Sequence, residues 1–220
     1  MNSWLDAKKS VIKAAREMAG KGLVTGTSGN ISFRLPAQGE LELMAITPTA
    51  KHYDTLSIDD IPIVDFNGKN VEGELKPSVE TPLHIAIYQS RKDVNAIIHT
   101  HSVFASAAAV AGLEIPVILE DQAALLGGEI KLAGYAPSGT PQMTANTLVA
   151  LGGRNAALLE NHGAVGVGLT MRDAFNACEL VEKTAEVYLL ALGAGKVNEL
   201  PENARKHLEE LFKKRQNAES

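Results

Sequence analysis

The centre of the sequence is the segment Asn95-Ala96-Ile97-Ile98-His99-Thr100-His101. It begins as a short apolar run with two β-branched isoleucines, which is typical of a buried strand. Side chains at positions i and i+2 of a strand leave the same face, about 6.5–7 Å apart. The segment therefore predicts a buried strand whose end carries two histidines that can turn toward one point.

Helical periodicity occurs in six other segments. The first helix is predicted to run from Ser3, which can cap it, to Met18, and Gly20-Lys21-Gly22 ends the pattern. A long helix is predicted from Met171 to about Leu192, because its apolar residues are spaced alternately four and three apart. The remaining helices are predicted at residues 80–90, 103–111 and 141–151 and in the charged tail that begins at Pro201.

Extended patterns occupy the first third of the chain and two short segments farther on. Alternation predicts strands in residues 31–34 and 41–46, and Asn67-Gly68 predicts a two-residue hairpin. Short strands are also predicted at residues 156–160 and 164–168.

The composition fits one domain over residues 1–220, because 45% hydrophobic residues are ample for a buried core. Strand-rich and helix-rich segments interleave without a regular strand–helix rhythm. We therefore expect an α/β fold in which a mixed, mostly antiparallel sheet is covered by helices on both faces.

Charge and cysteine content exclude several classes of partner. The formal net charge is −5, and no stretch concentrates Lys and Arg with interleaved aromatic residues, so we expect no nucleic-acid partner. The N-terminus lacks the apolar core of a signal peptide, and no run of about eighteen apolar residues occurs. We therefore expect a cytoplasmic protein without a membrane partner. A single cysteine, Cys178, excludes a thiolate-based metal cluster, so any metal must bind to histidines and carboxylates. Its helical spacing within residues 171–192 is best explained by core filling.

A third histidine can join the pair on the central strand. His162 lies between two predicted strands, where a turn could present its imidazole to the same point. Three protein ligands leave one position open for substrate, as in catalytic zinc sites. On spacing alone, a His-x-His pair on a strand is more often two ordinary histidines. His84 is expected to be a structural helix residue, and His52 and His207 are expected to be solvated.

Glu80 and two loops allow a structural or a functional interpretation. Glu80 lies at a predicted helix N-terminus, where a carboxylate can simply stabilise the helix dipole. Residues 25–30 and 47–50 form loops rich in glycine or hydroxyl groups. Each loop could direct backbone N–H groups toward an anion, or form only a tight turn. No Walker motif or Gly-x-Gly-x-x-Gly unit accompanies them, so nucleotide binding has no support.

Seven short motifs occur one after another along nearly the whole chain. They are Gly29-Asn30-Ile31-Ser32-Phe33-Arg34, Ile46-Thr47-Pro48-Thr49, Lys76-Pro77-Ser78-Val79-Glu80, Ile87-Tyr88, residues 91–101, Tyr135 with Gly139-Thr140, and Asn161-His162-Gly163. Together these motifs resemble the class II aldolase/adducin family, most closely its L-fuculose-phosphate aldolase branch. The resemblance implies a three-layer α/β/α sandwich and a homotetramer whose active sites lie between subunits.

The resemblance also implies a reaction and a set of site residues. The reaction is zinc-dependent cleavage of a ketose 1-phosphate, L-fuculose 1-phosphate or a close relative, to dihydroxyacetone phosphate and a small aldehyde. One Zn²⁺ per subunit would be held by His99, His101 and His162. Glu80 matches the family's acid/base, which can also bind the metal when no substrate is present. The phosphate-binding positions fall on Ser28, Gly29, Asn30, Thr49 and Ser78.

Three positions depart from the L-fuculose-phosphate aldolase pattern. Ala50 replaces a glycine, and Val79 replaces a serine, which removes one hydroxyl from the phosphate site. Glu120 stands where that enzyme has a tyrosine that donates a proton from the neighbouring subunit. It is either a catalytic carboxylate, as in the methylthioribulose-1-phosphate dehydratase branch, or a surface loop residue.

These departures leave alternative functions open. Dehydration, epimerisation or decarboxylation of a related sugar phosphate is the first alternative, although the epimerase branch usually has Asp at the position of Glu80. A non-catalytic, adducin-like interaction module is the second. Such modules lack the three histidines, which argues against it.

Overall fold

A sheet of eight strands runs through the computed structural model, within the residues that it describes, 4–39 and 41–219. The strands are β1 (Asn30–Gln38), β2 (Leu41–Ile46), β3 (Ile63–Asp65), β4 (Asn70–Glu72), β5 (Ala96–Thr100), β6 (Leu132–Ala133), β7 (Ala156–Leu159) and β8 (Gly163–Gly168). Their order across the sheet is β4-β3-β2-β1-β5-β8-β7-β6. Every neighbouring pair is antiparallel except β6 and β7. The prediction of a mixed, mostly antiparallel sheet is confirmed.

Helices cover both faces of this sheet. They are α1 (Trp4–Gly20), α2 (Thr81–Ser90), α3 (Val103–Val110), α4 (Pro141–Leu151), α5 (Met171–Gly193) and α6 (Glu202–Glu219). Apolar side chains of α1, α3 and α5 pack on one face of the sheet, and those of α2 and α4 pack on the other. The three-layer α/β/α sandwich implied by the resemblance is therefore present.

Strand β5 pairs with β1 and β8 along its two edges, helices cover both of its faces, and all of its residues are buried. Ile97 packs toward α2, whereas Ile98 packs toward α1. His99 lies two residues beyond Ile97 and therefore leaves the sheet on the α2 side. In register, His99 is paired with Asn30 of β1 and with Val165 of β8. The pairing brings distant parts of the chain to one end of β5.

The helices occur where helical periodicity predicts them, with small differences at the ends. The first helix extends to Gly20, and Gly22 adopts a left-handed conformation (φ 71°) directly after it. The expected cap at Ser3 lies outside the described residues. Cys178 fills the core as predicted: it is 1% exposed and lies under β5. Phe212 of α6 packs against the turn at Gly127.

The predicted hairpin at Asn67-Gly68 is present, but its connection is longer than two residues. Strands β3 and β4 are joined by residues 66–69. The carboxylate of Asp65 accepts hydrogen bonds from the backbone N–H groups of Asn67 and Lys69, at 2.9 Å each. This side chain satisfies the turn's donors, so a wider loop is stable. No helix within the described residues is both long and apolar enough to cross a membrane.

Candidate metal centre

Three imidazole rings meet at the end of β5. The Nε2 atom of His99 lies 2.8 Å from Nε2 of His101 and 3.2 Å from Nε2 of His162. The candidate ligand atoms of all three residues lie within 4.8 Å of one another. His99 and His162 are 63 positions apart in sequence and are brought together because β5 pairs with β8, which His162 directly precedes. The structure thus brings together the three histidines that the sequence singles out.

A hydrogen bond fixes the tautomer of His99. Its Nδ1 atom lies 2.9 Å from the carbonyl oxygen of Ala164. A carbonyl can only accept, so Nδ1 carries the hydrogen and the neutral ring has its lone pair on Nε2. A backbone carbonyl on the outer nitrogen is the usual way in which proteins orient a metal-binding histidine. The lone pair of His99 therefore points to where the rings converge.

The other two rings are also disposed to be neutral. Burial lowers the pKa of His101 to about 4, and the neighbouring His99 and His162 act in the same direction. Burial and His99 likewise lower the pKa of His162 to about 4. Neutral imidazoles are the form that binds a cation. Near pH 7 both rings can offer a lone pair.

Glu80 is the fourth donor group at this point. It immediately precedes α2, is 2% exposed, and its two carboxylate oxygens lie 3.4 Å from Nε2 of His99 and of His162. Burial opposes the ionisation of Glu80, but positive charge on a protonated His99, the hydrogen bond from Asn30 and a protonated His162 lower its pKa to about 2. A cation held by neutral imidazoles would favour the ionised carboxylate in the same way. Three imidazoles and one ionised carboxylate, without any thiolate, form a donor set that fits Zn²⁺.

Close approach of β5 and β8 depends on Gly163. A Cβ atom at this position would lie 2.1 Å from the carbonyl oxygen of Thr100 and 3.3 Å from Cα of His101. Any side chain would push apart the two segments that carry the histidines. The glycine next to His162 is therefore needed for the geometry of the site.

We expect Gly163→Ala to lower the free energy of unfolding by about 1–3 kcal/mol, because an extra methyl group must be fitted against fixed backbone. It should also weaken metal binding, since His101 and His162 both adjoin the clash. Denaturant unfolding and metal titration measure the two effects. Gly153→Ala is the matched control, because that glycine is exposed and a Cβ there meets nothing within 4 Å. Equal stability of the two variants would contradict the prediction.

The predicted phosphate-binding residues lie on neighbouring loops. Asn30 contacts Glu80 directly, and Gly29 approaches the backbone of His99 so closely that a Cβ would lie 2.6 Å from its carbonyl oxygen. The segments that carry Thr49 and Ser78 are joined to each other by backbone hydrogen bonds, from Thr49 N to Lys76 O and from Ser78 N to Thr47 O. Ser28, Gly29, Asn30, Thr49 and Ser78 therefore belong to adjoining segments beside Glu80.

The side chain of Asn30 is already engaged within the protein. Its Nδ2 donates to Oε2 of Glu80 at 2.7 Å, and its Oδ1 lies 2.6 Å from Nε2 of His84. The amide nitrogen has a second hydrogen that this bond does not use. Its predicted contact with phosphate stays a prediction. The sequence pattern does not predict the contacts with Glu80 and His84.

Two of the departures from the family pattern have a visible setting. Ala50 adopts a left-handed backbone conformation (φ 55°), which explains why a glycine suits this position. Val79 is exposed, and its carbonyl lies against Gly139. Glu120 is also exposed, and no hydrogen bond or ion pair joins it to the three histidines among the residues described. Its predicted role across a subunit boundary stays a prediction.

Comparison with known proteins identifies the family. A sequence model of the class II aldolase and adducin N-terminal domain matches residues 9–189. The chain belongs to this family. Its similarity to a 5-deoxy-D-ribulose 1-phosphate aldolase of Bacillus thuringiensis serovar kurstaki is 33% identity, over 93% of this chain and 94% of the relative. Its similarity to the L-fuculose phosphate aldolase of Escherichia coli K12 is 38% identity, over 84% of this chain and 83% of that enzyme.

A solved structure of an L-fuculose 1-phosphate aldolase has the same class II aldolase fold. It superimposes with a TM-score of 0.88 and 36% identity, over 94% of this chain and 96% of that one. The resemblance to the class II aldolase family, and to its L-fuculose-phosphate branch, is confirmed. The prediction of an enzyme of the class II aldehyde-lyase type is confirmed with it, since the relatives are lyases.

Proposed function

We propose that this class II aldolase cleaves a ketose 1-phosphate, L-fuculose 1-phosphate or a close deoxy relative, to dihydroxyacetone phosphate and a small aldehyde. The observation that carries the proposal is the convergence of three imidazoles beside the ionised Glu80. Relatives named for L-fuculose phosphate and for 5-deoxy-D-ribulose 1-phosphate support the substrate class. The cytoplasmic location and the single domain over residues 1–220 stay predictions.

One Zn²⁺ per subunit is the proposed cofactor, held by His99, His101 and His162, with Glu80 as a further ligand when no substrate is bound. Bound there, it would supply Lewis-acid chemistry, polarising the ketose carbonyl and stabilising the negative charge left on the ketone fragment. Neutral imidazoles do not reduce the charge of the cation, which favours this chemistry.

Glu80 is the proposed acid/base at the carbon of the breaking bond. Its carboxylate is ionised, buried and held by the Asn30 amide, so it can accept a proton without first losing one to solvent. The backbone of Ser28 and Gly29, together with Asn30, Thr49 and Ser78, is proposed to bind the substrate phosphate. By binding the phosphate, these groups would hold the sugar in a fixed orientation next to Glu80. Such positioning lowers the activation barrier of the reaction.

The proposed assembly is a homotetramer with active sites between subunits. In that assembly Glu120 of one subunit would reach the site of the next and act on the leaving group, in place of the tyrosine of L-fuculose-phosphate aldolase. A carboxylate at this position also keeps dehydration of a related sugar phosphate open as the second candidate reaction.

The proposal is tested by incubating metal-loaded protein with a panel of ketose 1-phosphates and identifying the products. Dihydroxyacetone phosphate with an aldehyde supports aldol cleavage, whereas a dehydrated or epimerised sugar phosphate supports the alternative. The same assay after chelation tests the cofactor. Full activity in metal-free protein would overturn the metal-dependent mechanism.

Tyr53 offers a test of the phosphate loop. Its buried hydroxyl lies 2.6 Å from the carbonyl oxygen of Gly29 and 2.9 Å from that of Ser28, and its one hydrogen is shared between these two acceptors, which holds the loop in place. We expect Tyr53→Phe to raise KM roughly three- to tenfold, the equivalent of one lost hydrogen bond, with kcat nearly unchanged. Steady-state kinetics measure this. Tyr188→Phe on α5 is the matched control, and a fall in kcat alone for Tyr53→Phe would contradict the prediction.

A further inference from the structure

A line of buried polar side chains extends from Glu80 into the core. Glu80, His84 and Tyr88 are four residues apart and follow one side of α2 from its N-terminal end, and they face β1. Asn30 and Ser32 are two residues apart, and so lie on one face of that strand. All five residues are at most 5% exposed. The line lies between the helix and the sheet, where unpaired polar groups would be costly.

Consecutive members of this line are hydrogen bonded. Tyr88 Oη lies 2.7 Å from Ser32 Oγ, which lies 2.6 Å from Nδ1 of His84. On the other side of the ring, Nε2 of His84 lies 2.6 Å from Oδ1 of Asn30. The Asn30 amide nitrogen then donates to Glu80 at 2.7 Å. His84 is thus two hydrogen bonds from the proposed acid/base.

The donors and acceptors in this line can be arranged in one direction only. The Asn30 amide presents its nitrogen to a carboxylate oxygen of Glu80 and its oxygen to Nε2 of His84. An amide oxygen only accepts, so Nε2 of His84 must carry a hydrogen. In the neutral ring Nδ1 is then an acceptor, and Ser32 donates to it while accepting from Tyr88.

The opposite tautomer of His84 would reverse the line. With its hydrogen on Nδ1, Nε2 would become an acceptor, and the Asn30 amide would have to turn its nitrogen toward the ring. The amide oxygen would then face the Glu80 carboxylate at about the present 2.7 Å, two acceptors in contact. Burial of the imidazole lowers the pKa of His84 to about 3, so the ring is neutral and has only these two forms near pH 7.

We propose that His84 is a positioning residue: by donating from Nε2 it fixes the orientation of the Asn30 amide, which in turn aligns the Glu80 carboxylate for proton transfer. The role in proton transfer rests on the proposed function of Glu80. The hydrogen-bond direction does not, because it follows from contacts within the protein alone.

The tautomer is tested on metal-free protein with ¹⁵N-labelled histidine. Long-range ¹H–¹⁵N spectra distinguish a ring protonated on Nε2 from one protonated on Nδ1, and loss of one signal set in His84→Gln assigns the residue. We expect His84 to be protonated on Nε2. The Nδ1 tautomer would overturn the proposal. This readout needs neither metal nor substrate, so it is independent of whether the protein proves to be an aldolase.

The effect on turnover is tested with two amide variants. The side-chain amide of glutamine reaches about the position of Nε2 and can donate to Asn30, whereas that of asparagine reaches only the position of Nδ1. We expect His84→Asn to lower kcat roughly 10- to 100-fold, with KM and metal content close to those of the parent protein. We expect His84→Gln to recover most of this loss. If His84 only filled space in the core, the position of the amide donor would not matter, and His84→Gln would not recover kcat relative to His84→Asn.

The positioning role of His84 can be overturned by several results. Equal kcat for the two variants, or losses confined to metal content or KM, would overturn the positioning role. If His84→Asn fails to fold, Ser32→Ala takes its place: it removes the donor to Nδ1, and we expect a smaller fall in kcat with metal retained. An unchanged kcat in a folded Ser32→Ala protein would overturn the positioning role. Absence of any aldol cleavage by the parent protein would overturn the proposed function instead.

Discussion

Alanine in place of His99, His101 or His162 is expected to remove the bound metal and to lower kcat/KM by at least about a thousandfold. Each ring supplies one of the three converging nitrogen atoms, so each variant leaves two imidazoles and Glu80. A cation held by these residues would stabilise developing negative charge by several kcal/mol, and each 1.36 kcal/mol is a factor of ten in rate. Metal content after dialysis against a metal buffer, measured by mass spectrometry, and the rate of ketose cleavage check the two effects.

His207→Ala is the control for these variants. His207 is exposed on α6 and belongs to no cluster of candidate ligands in the described part of the chain. It should keep the metal content and the rate of the parent protein. A variant of His99, His101 or His162 that folds, retains one metal per subunit and cleaves the substrate at the parental rate would show that the three rings are not the metal site.

The histidine cluster could be predicted because its cause is local. Two side chains at i and i+2 of a strand must share a face, and a buried strand is visible as an apolar run. His162 could be added because it lies in a turn between two short strands. The antiparallel pairing of β5 with β8, which brings this turn to the end of β5, depends on the whole sheet. Local patterns therefore identify the three histidines as candidate ligands. That they bind the same metal is indicated by the order of motifs along the whole chain.

The surroundings of Glu80 could not be predicted in the same way. Sequence spacing gives the four-residue stripe of Glu80 and His84 on α2, but nothing in it shows that β1 lies opposite. The hydrogen bond from Asn30 to Glu80 joins residues 50 positions apart, and the loop containing Asn30 could equally have been only a tight turn. From its spacing alone, His84 is predicted to be only a structural helix residue. Its partners become visible only when the helix is packed on the sheet.

The need for glycine at position 163 and the length of the hairpin loop could not be predicted from the sequence either. A glycine in sequence does not show which backbone it approaches, and the carbonyl oxygen of Thr100 is 63 residues away in the chain. The Asn67-Gly68 pair does predict a hairpin, but Asp65 accepts two backbone hydrogen bonds and so stabilises a wider turn. The backbone of Thr100 decides the first feature and the side chain of Asp65 decides the second, and neither contact can be read from the local sequence pattern.

Glu80→Gln is expected to keep the metal and to lower kcat by roughly 10²- to 10⁴-fold, the usual effect of removing a general acid/base. Glutamine has nearly the same shape, and its amide oxygen can still accept the hydrogen bond from Asn30. Because the folded site favours the ionised carboxylate, the neutral side chain is not expected to stabilise the fold. Metal content, thermal unfolding and single-turnover rates measure these effects. Glu199→Gln, at an exposed position, is the control.

The result separates two roles of the same carboxylate. Loss of metal together with turnover would make Glu80 chiefly a ligand, and an active Glu80→Gln protein would exclude it as the acid/base. If the carboxylate is the acid/base, His84 acts only through it. The effects of Glu80→Gln and His84→Asn on kcat should then not add, because residues coupled in one hydrogen-bonded line deviate from additivity. His84→Asn should therefore change the residual rate little once Glu80 is glutamine, whereas independent contributions would multiply.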